Sequence, residues 1–316
     1  VDANGAVITH KVSGDIFPIR LRDIPHRHPT FTFSISSQQQ RQIYLRIQTT
    51  SSVQVPLQLW HTNAFLWMSF KVQILNGLFY GAMLIMILYQ LLLFFIMRDR
   101  ITFYYILTLL SMANIIAFFQ GYSFLYLYPD SPYMNEFFAL FSGPFFVLFA
   151  TLLTRKFLNL RSFSKTLDTL LLLNMLFDML VTVLMIVFHH DVSYKYHHYF
   201  ILSHCMIVLI SAGYCLYKKY RPALYYLIAW ATLLVAASVF TLSNLGFVPG
   251  YMSTNYVGVM VGCILQVVLI SLALGERWNA LKKENELAKE RELKRGLEEK
   301  ERLEIEVKLR TEEIVK

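Results

Sequence analysis

The chain has 316 residues, of which 56% are hydrophobic and 16% charged, with a mean hydropathy of +0.46. An ordinary soluble domain carries about 25% charged residues, so the composition argues against one and for a chain largely buried in lipid. The formal charge of +8 is unevenly placed: Glu276–Lys316 holds 12 acidic and 12 basic residues, so the whole excess (17 basic minus 9 acidic) lies in the first 275. In a membrane protein such an excess belongs to cytoplasmic loops, and no nucleic-acid partner is read from it.

Three cysteines, Cys205, Cys215 and Cys263, all fall in apolar stretches, which leaves no disulfide framework for the N-terminal segment. The chain opens at Val1 without a signal peptide and closes on EEIVK inside a helical pattern; both ends read as cuts in a longer protein.

Residues 1–70 read as β. Ile43, Leu45 and Ile47 alternate with Tyr44, Arg46 and Gln48, and Val53, Val55, Leu57 and Leu59 repeat the pattern after a TTSS turn, which predicts a hairpin. Phe31, Phe33 and Ile35 form a third alternating run, while Pro18, Pro25 and Pro29 mark loops. So few strands do not close a sandwich, so the segment reads as the C-terminal part of a larger β-domain. Trp60 and Trp67 precede the first crossing and suit the membrane interface or core packing; carbohydrate stacking is the sharper reading.

The chain is organised around Asn76–Arg100, about two dozen residues uncharged until Arg98 and long enough for a ~30 Å hydrocarbon core. Further apolar stretches follow at approximately 101–119, 133–153, 167–188, 199–217, 223–242 and 252–274, making seven in all. Lys and Arg gather in alternate loops: Arg98 and Arg100, then Arg155, Lys156, Arg161 and Lys165, then Lys218, Lys219 and Arg221, then Arg277, Lys282 and Lys283. The intervening loops hold only Lys195, so the β segment is placed outside and the tail in the cytoplasm.

Glu276–Lys316 has no Pro and one Gly and is predicted as a helix laced with opposite charges. Trp278, Leu281, Asn285 and Ala288 fit an a/d seam, as do Leu303, Val307 and Ile314, but Leu293 and Leu297 do not join the two phases without a break. A homodimeric coiled coil is the expectation, with Asn285 able to fix its register; a solvated tether is the alternative.

Asp178 falls near the middle of the fourth crossing, where a charge must face the interior, be paired or be protonated. With His204, Asn114, Asn174, Asn244 and Gln266 it forms either a ligand-responsive polar network or ordinary interhelical hydrogen bonding. His189, His190, His197 and His198 flank the fourth loop and have metal-ligand chemistry, yet interfacial placement explains them as well. Gly258 and Gly262 form a G-x-x-x-G suited to close helix approach, within the bundle or between copies. GxxxxGK, HExxH and GxSxG motifs are absent from the sequence, and neither a cofactor nor an enzymatic activity is read for this chain.

The segment GLFYGAMLIMILYQLLLFFIMRDRITFYYIL, followed by GYSFLYLYPDSPYMN, resembles the bacterial seven-transmembrane receptors with diverse intracellular signalling modules. Tyr80-Gly81, Tyr89, Arg98-Asp99, Tyr105, Gly121 and Pro129 carry the likeness, which spans roughly 75–275; Gln90, Tyr128 and Tyr133 depart from the family pattern. The resemblance implies a mainly α membrane protein of the bacterial cytoplasmic membrane. A jelly-roll-like extracytoplasmic segment (1–70) precedes a seven-helix bundle (73–275), and a cytoplasmic helical linker (276–316) leads to an output module of histidine kinase, diguanylate cyclase or nucleotide cyclase type. It also implies a carbohydrate or other small-molecule ligand outside, with Tyr44, Trp60 or His61 as the sugar contacts. A transporter or channel with a polar path through Asp178 is the first rival reading, and an intramembrane enzyme or a recruiting scaffold are others.

Overall fold

The computed structural model describes residues 10–36, 42–48, 57–188, 193–244 and 256–315. Seven helices among them are long and apolar enough to cross a membrane. They are α1 (Thr62–Met97), α2 (Arg100–Phe119), α3 (Pro132–Phe157), α5 (Lys165–Phe188), α6 (Ser193–Tyr217), α7 (Ala223–Asn244) and α8 (Val257–Val315); α4 (Leu160–Phe163) is a single turn between α3 and α5.

The organising stretch lies in α1 up to Met97; the helix has 36 residues and begins at Thr62. At ~1.5 Å per residue that is roughly 54 Å, so α1 overshoots a ~30 Å hydrocarbon core. It ends because Arg98 turns left-handed at φ 50°, and Asp99 is then the N-cap of α2. Pro132 starts α3, where its missing N–H costs nothing. The long helices close a ring in which α1 packs on α2, α2 on α3, α3 on α5, α5 on α6, α6 on α7, α7 on α8 and α8 on α1, while α3 also crosses to α6. Trp230, Tyr226, Tyr105, Phe79 and Phe157 are the largest side chains wholly buried inside.

No strand forms among the described residues. The expected alternation at Gln42–Gln48 is exposed and unpaired, with Ile43 56% and Ile47 51% accessible. An isolated hairpin buries too little to hold itself together, and among the described residues these runs have no third strand or helix beneath them. The expected turn and most of the second run fall outside the described residues. What orders the N-terminal segment is instead a 3-10 turn at Ile19–Leu21 and the guanidinium of Arg22, which donates to the His26 carbonyl at 2.6 Å and the Gly14 carbonyl at 3.1 Å.

The helix that contains the seventh crossing runs on unbroken for 59 residues, roughly 88 Å at ~1.5 Å per residue. From Lys282 to Ile305 every residue is exposed.

Candidate functional site

Where the N-terminal segment meets the bundle, four polar side chains close one network. Gln120, wholly buried, is the C-cap of α2, and Asn76, 2% exposed, lies within α1. The Gln120 amide donates to Asn76 Oδ1 at 3.2 Å and to the Met260 sulfur on α8 at 3.2 Å. Its oxygen accepts from the Tyr80 hydroxyl at 2.9 Å, and Asn76 Nδ2 donates to the Tyr122 hydroxyl at 2.7 Å. Both hydrogens and the oxygen of the Gln120 amide are therefore used, as burial requires. One side chain thus touches the first, second and seventh crossings.

The N-terminal segment rests on this network. The Arg27 guanidinium stands 5.5 Å from the Tyr122 ring centroid, and that of Arg22 stands 5.6 Å from Phe124. The Ile19 amide donates to the Pro129 carbonyl at 2.8 Å, and His26 meets the Phe65 ring edge-on at 5.3 Å. Gly121 makes the approach possible. Its φ is +76°, and a Cβ there would sit 2.8 Å from the Arg27 carbonyl oxygen, so only glycine fits. The segment itself is braced by Asp23, which pairs with Lys11 and accepts from the Thr32 amide at 3.1 Å; these bonds, the Lys11 one first, hold its carboxyl below the ordinary range. Burial, with the charges of Arg27 and Arg22, holds the His26 imidazole below its ordinary pKa.

Two further links tie α8 to α1 and α2. Gln90 donates to Ser271 Oγ at 3.2 Å, and the Tyr105 hydroxyl donates to the Val267 carbonyl at 2.8 Å. Where α8 leaves the bundle, Arg277 pairs with Asp99 at 3.4 Å. Met260, Ser271 and Arg277 thus fix α8 at three heights. On the same face of the bundle, Arg155 and Asp168 form a bidentate pair at 2.6 and 2.9 Å that joins α3 to α5.

The polar candidates of the interior are partly brought together. Asp178 is fully buried on α5, and Thr182 donates to its backbone carbonyl at 2.8 Å. His204, also fully buried, places Nδ1 3.5 Å from Thr151 Oγ1 and its ring against Trp230 at 5.5 Å. Asn174, one turn before Asp178, donates to Ser203, the neighbour of His204, at 2.6 Å. Asn114 is half-buried on α2, which α3 separates from α5. Tyr44 and Trp60 are exposed, and their side chains donate to nearby glutamines, Gln42 at 2.8 Å and Gln58 at 3.1 Å. His189 and His190, and the side chains of His197, His198, Asn244 and Ile314, lie outside the described residues. No cluster of metal-ligating side chains occurs among the described residues.

The two glycines of the G-x-x-x-G part company. A Cβ at Gly262 would meet that of Ala236 on α7 at 2.5 Å, whereas Gly258 opens onto free space. In the tail, Trp278 and Leu281 are half-buried, while Asn285, Ala288, Leu303 and Val307 are exposed. The network around Gln120 was not legible as a site, because Asn76 and Gln120 sit at the edges of apolar runs, where uncharged polar residues read as loop borders.

Comparison with known proteins bears on the same residues. A family model described as "7TM diverse intracellular signalling" matches residues 72–277. A second, described as "7TMR-DISM extracellular 2", matches residues 1–61. No curated protein and no solved structure matches the chain.

Proposed function

The chain belongs to the 7TM diverse intracellular signalling family, a multi-pass membrane receptor with an extracellular domain ahead of its bundle, and from that premise we propose how it signals. The alternation of Lys and Arg between loops supports a reading with the N-terminal segment outside the bacterial cytoplasmic membrane and the tail in the cytoplasm. A ligand outside, a carbohydrate or another small molecule, alters how the segment around Arg22–His28 sits on the loop after α2. The Gln120 network passes that change to Met260 on α8. The helix carries it through the membrane to a tail paired with that of a second copy, and so to an output module of histidine kinase or cyclase type.

The observation that carries this reading is the reach of Gln120. It contacts α1 and α8 while Gly121, its neighbour, receives the extracellular segment. A signal needs a different interaction free energy in two states of the bundle, and a fully satisfied buried amide is costly to leave half-satisfied. Hydrogen–deuterium exchange of the receptor in nanodiscs tests it. Gln120→Leu should speed exchange around residues 278–290 as well as locally. A change confined to the outer end would overturn the coupling.

A further inference from the structure

The first part of α1 rises above the bundle. Asn76 is tied to Gln120, the C-cap of α2, so the two mark one level. Counted back from Met97, where α1 ends, a ~30 Å hydrocarbon core takes about 20 residues and stops close to that level. Residues 62–75 therefore reach roughly 21 Å beyond it, at ~1.5 Å per residue. One side of this stretch continues the bundle-facing stripe: Phe65, Ser69 and Val72 are half-buried in line with the buried Asn76, Phe79 and Met83. The other side is apolar and open. Leu66, Phe70 and Ile74 are 59%, 55% and 49% exposed, and their line runs on through the exposed Leu84 and Leu88 to Phe95. Steps of 4, 4, 3, 4, 3, 4, 4 and 3 from Leu66 to Phe95 meet only leucine, isoleucine, phenylalanine and glycine.

We propose that lipid covers this face as far as Leu66, and that α1 thereby responds to bilayer thickness. The line from Leu66 to Phe95 is about 44 Å long, against ~30 Å of hydrocarbon. Acyl chains already occupy about two thirds of it, and the outer third offers them the same chemistry without a break. Trp67 and Lys71 flank the outer end one turn apart, both exposed, and the Trp67 ring meets that of Phe70 edge-on at 6.2 Å. An indole and a long ammonium side chain bury their apolar bodies in lipid while their polar ends stay among headgroups. A thick bilayer matches the full line and leaves α1 upright, whereas a thin one is matched by tilting the helix. Phe65, on the other side of the same stretch, meets His26 at 5.3 Å, so tilt draws it away from the N-terminal segment. Bilayer thickness is then a second input to that segment. This last step rests on the proposed function, which takes docking of the segment as the signal; the lipid contact does not.

Spin labels on the whole receptor in nanodiscs test the contact. The three native cysteines are buried, so they stay in place. In dierucoyl phosphatidylcholine, labels at Phe70→Cys and Ile74→Cys should match one at Leu88→Cys in high access to oxygen. Their access to a water-soluble nickel chelate should be at least threefold below that of Glu298→Cys in the exposed tail. High nickel access would mean a face bare to water, and low access to both reagents a face covered by a second copy or another protein; either overturns the lipid contact. Hydrogen exchange over residues 14–28 tests the second input. It should be at least threefold faster in dimyristoleoyl than in dierucoyl phosphatidylcholine, and Phe70→Ser combined with Ile74→Ser should remove the difference. Lipid contact with no dependence on thickness would overturn the second input. Gln120→Leu should leave the label readings unchanged, so this contact and the coupling through Gln120 fail separately.

Discussion

Arg277 meets Asp99 at 3.4 Å, so the first turn of the tail is tied to the hinge between α1 and α2. The two side chains are 18% and 22% exposed, and pairs with access to water couple weakly, about 0–1 kcal/mol. Arg277→Gln should therefore lower thermal stability in detergent by only a degree or two, yet loosen the start of the tail. Hydrogen exchange over 276–284 should rise while the rest of the bundle is unchanged.

Gln120→Leu has the opposite balance. It leaves Asn76 Oδ1 and the Tyr80 hydroxyl without their bonds to Gln120 in a buried place, a loss of about 1–3 kcal/mol. A measurable drop in unfolding midpoint is expected, and Asn76→Leu in the same background should cost less than it does alone, because the two act through one network.

Gly262 and Gly258 should respond differently to the same change. Gly262→Ala forces a Cβ to within 2.5 Å of Ala236 and should destabilise by roughly 1–3 kcal/mol through overpacking. Gly258→Ala meets nothing within the chain and should leave monomer stability within about 0.5 kcal/mol. Unfolding curves of the two variants in detergent check this.

Docking of the N-terminal segment should depend on pH. Burial lowers the His26 pKa in the docked state, so the undocked segment binds protons more readily below the ordinary value of about 6.5. Docking is then strongest above that pH and weakens as pH falls toward the docked-state pKa. Arg27 and Arg22 add positive charge against the ring, while the His28 amide donates to its Nδ1 at 3.2 Å. Limited proteolysis of residues 14–28 should accelerate on acidification in the native receptor; His26→Phe, which keeps the contact to Phe65, should weaken that dependence, and replacing His28, held down to about 4 by burial, as well should flatten it.

The seven crossings were legible because uncharged runs of that length fit a bilayer and little else. The start of α1 was not: Lys71 and the polar residues after Thr62 interrupt the apolar signal, although the backbone stays helical. The alternating runs at Phe31–Ile35 and Gln42–Gln48 pointed to strands, and alternation sets which face a strand would bury without supplying a neighbour to pair with. Asp178 and His204 were found as buried polar groups, as the cost of charge in lipid requires, but their hydrogen-bond geometry depends on which helices adjoin. The tail showed two seam phases and a break.

The most direct test of the account is the intermolecular distance between spin labels at Glu298→Cys, an exposed tail position, in the receptor held in nanodiscs. A narrow intermolecular distribution is expected for the native receptor, displaced or broadened when Gln120→Leu is introduced at the far end of the helix. An intermolecular distance that stays the same in both, or the absence of any, would contradict the claim that the outer network acts on a paired α8.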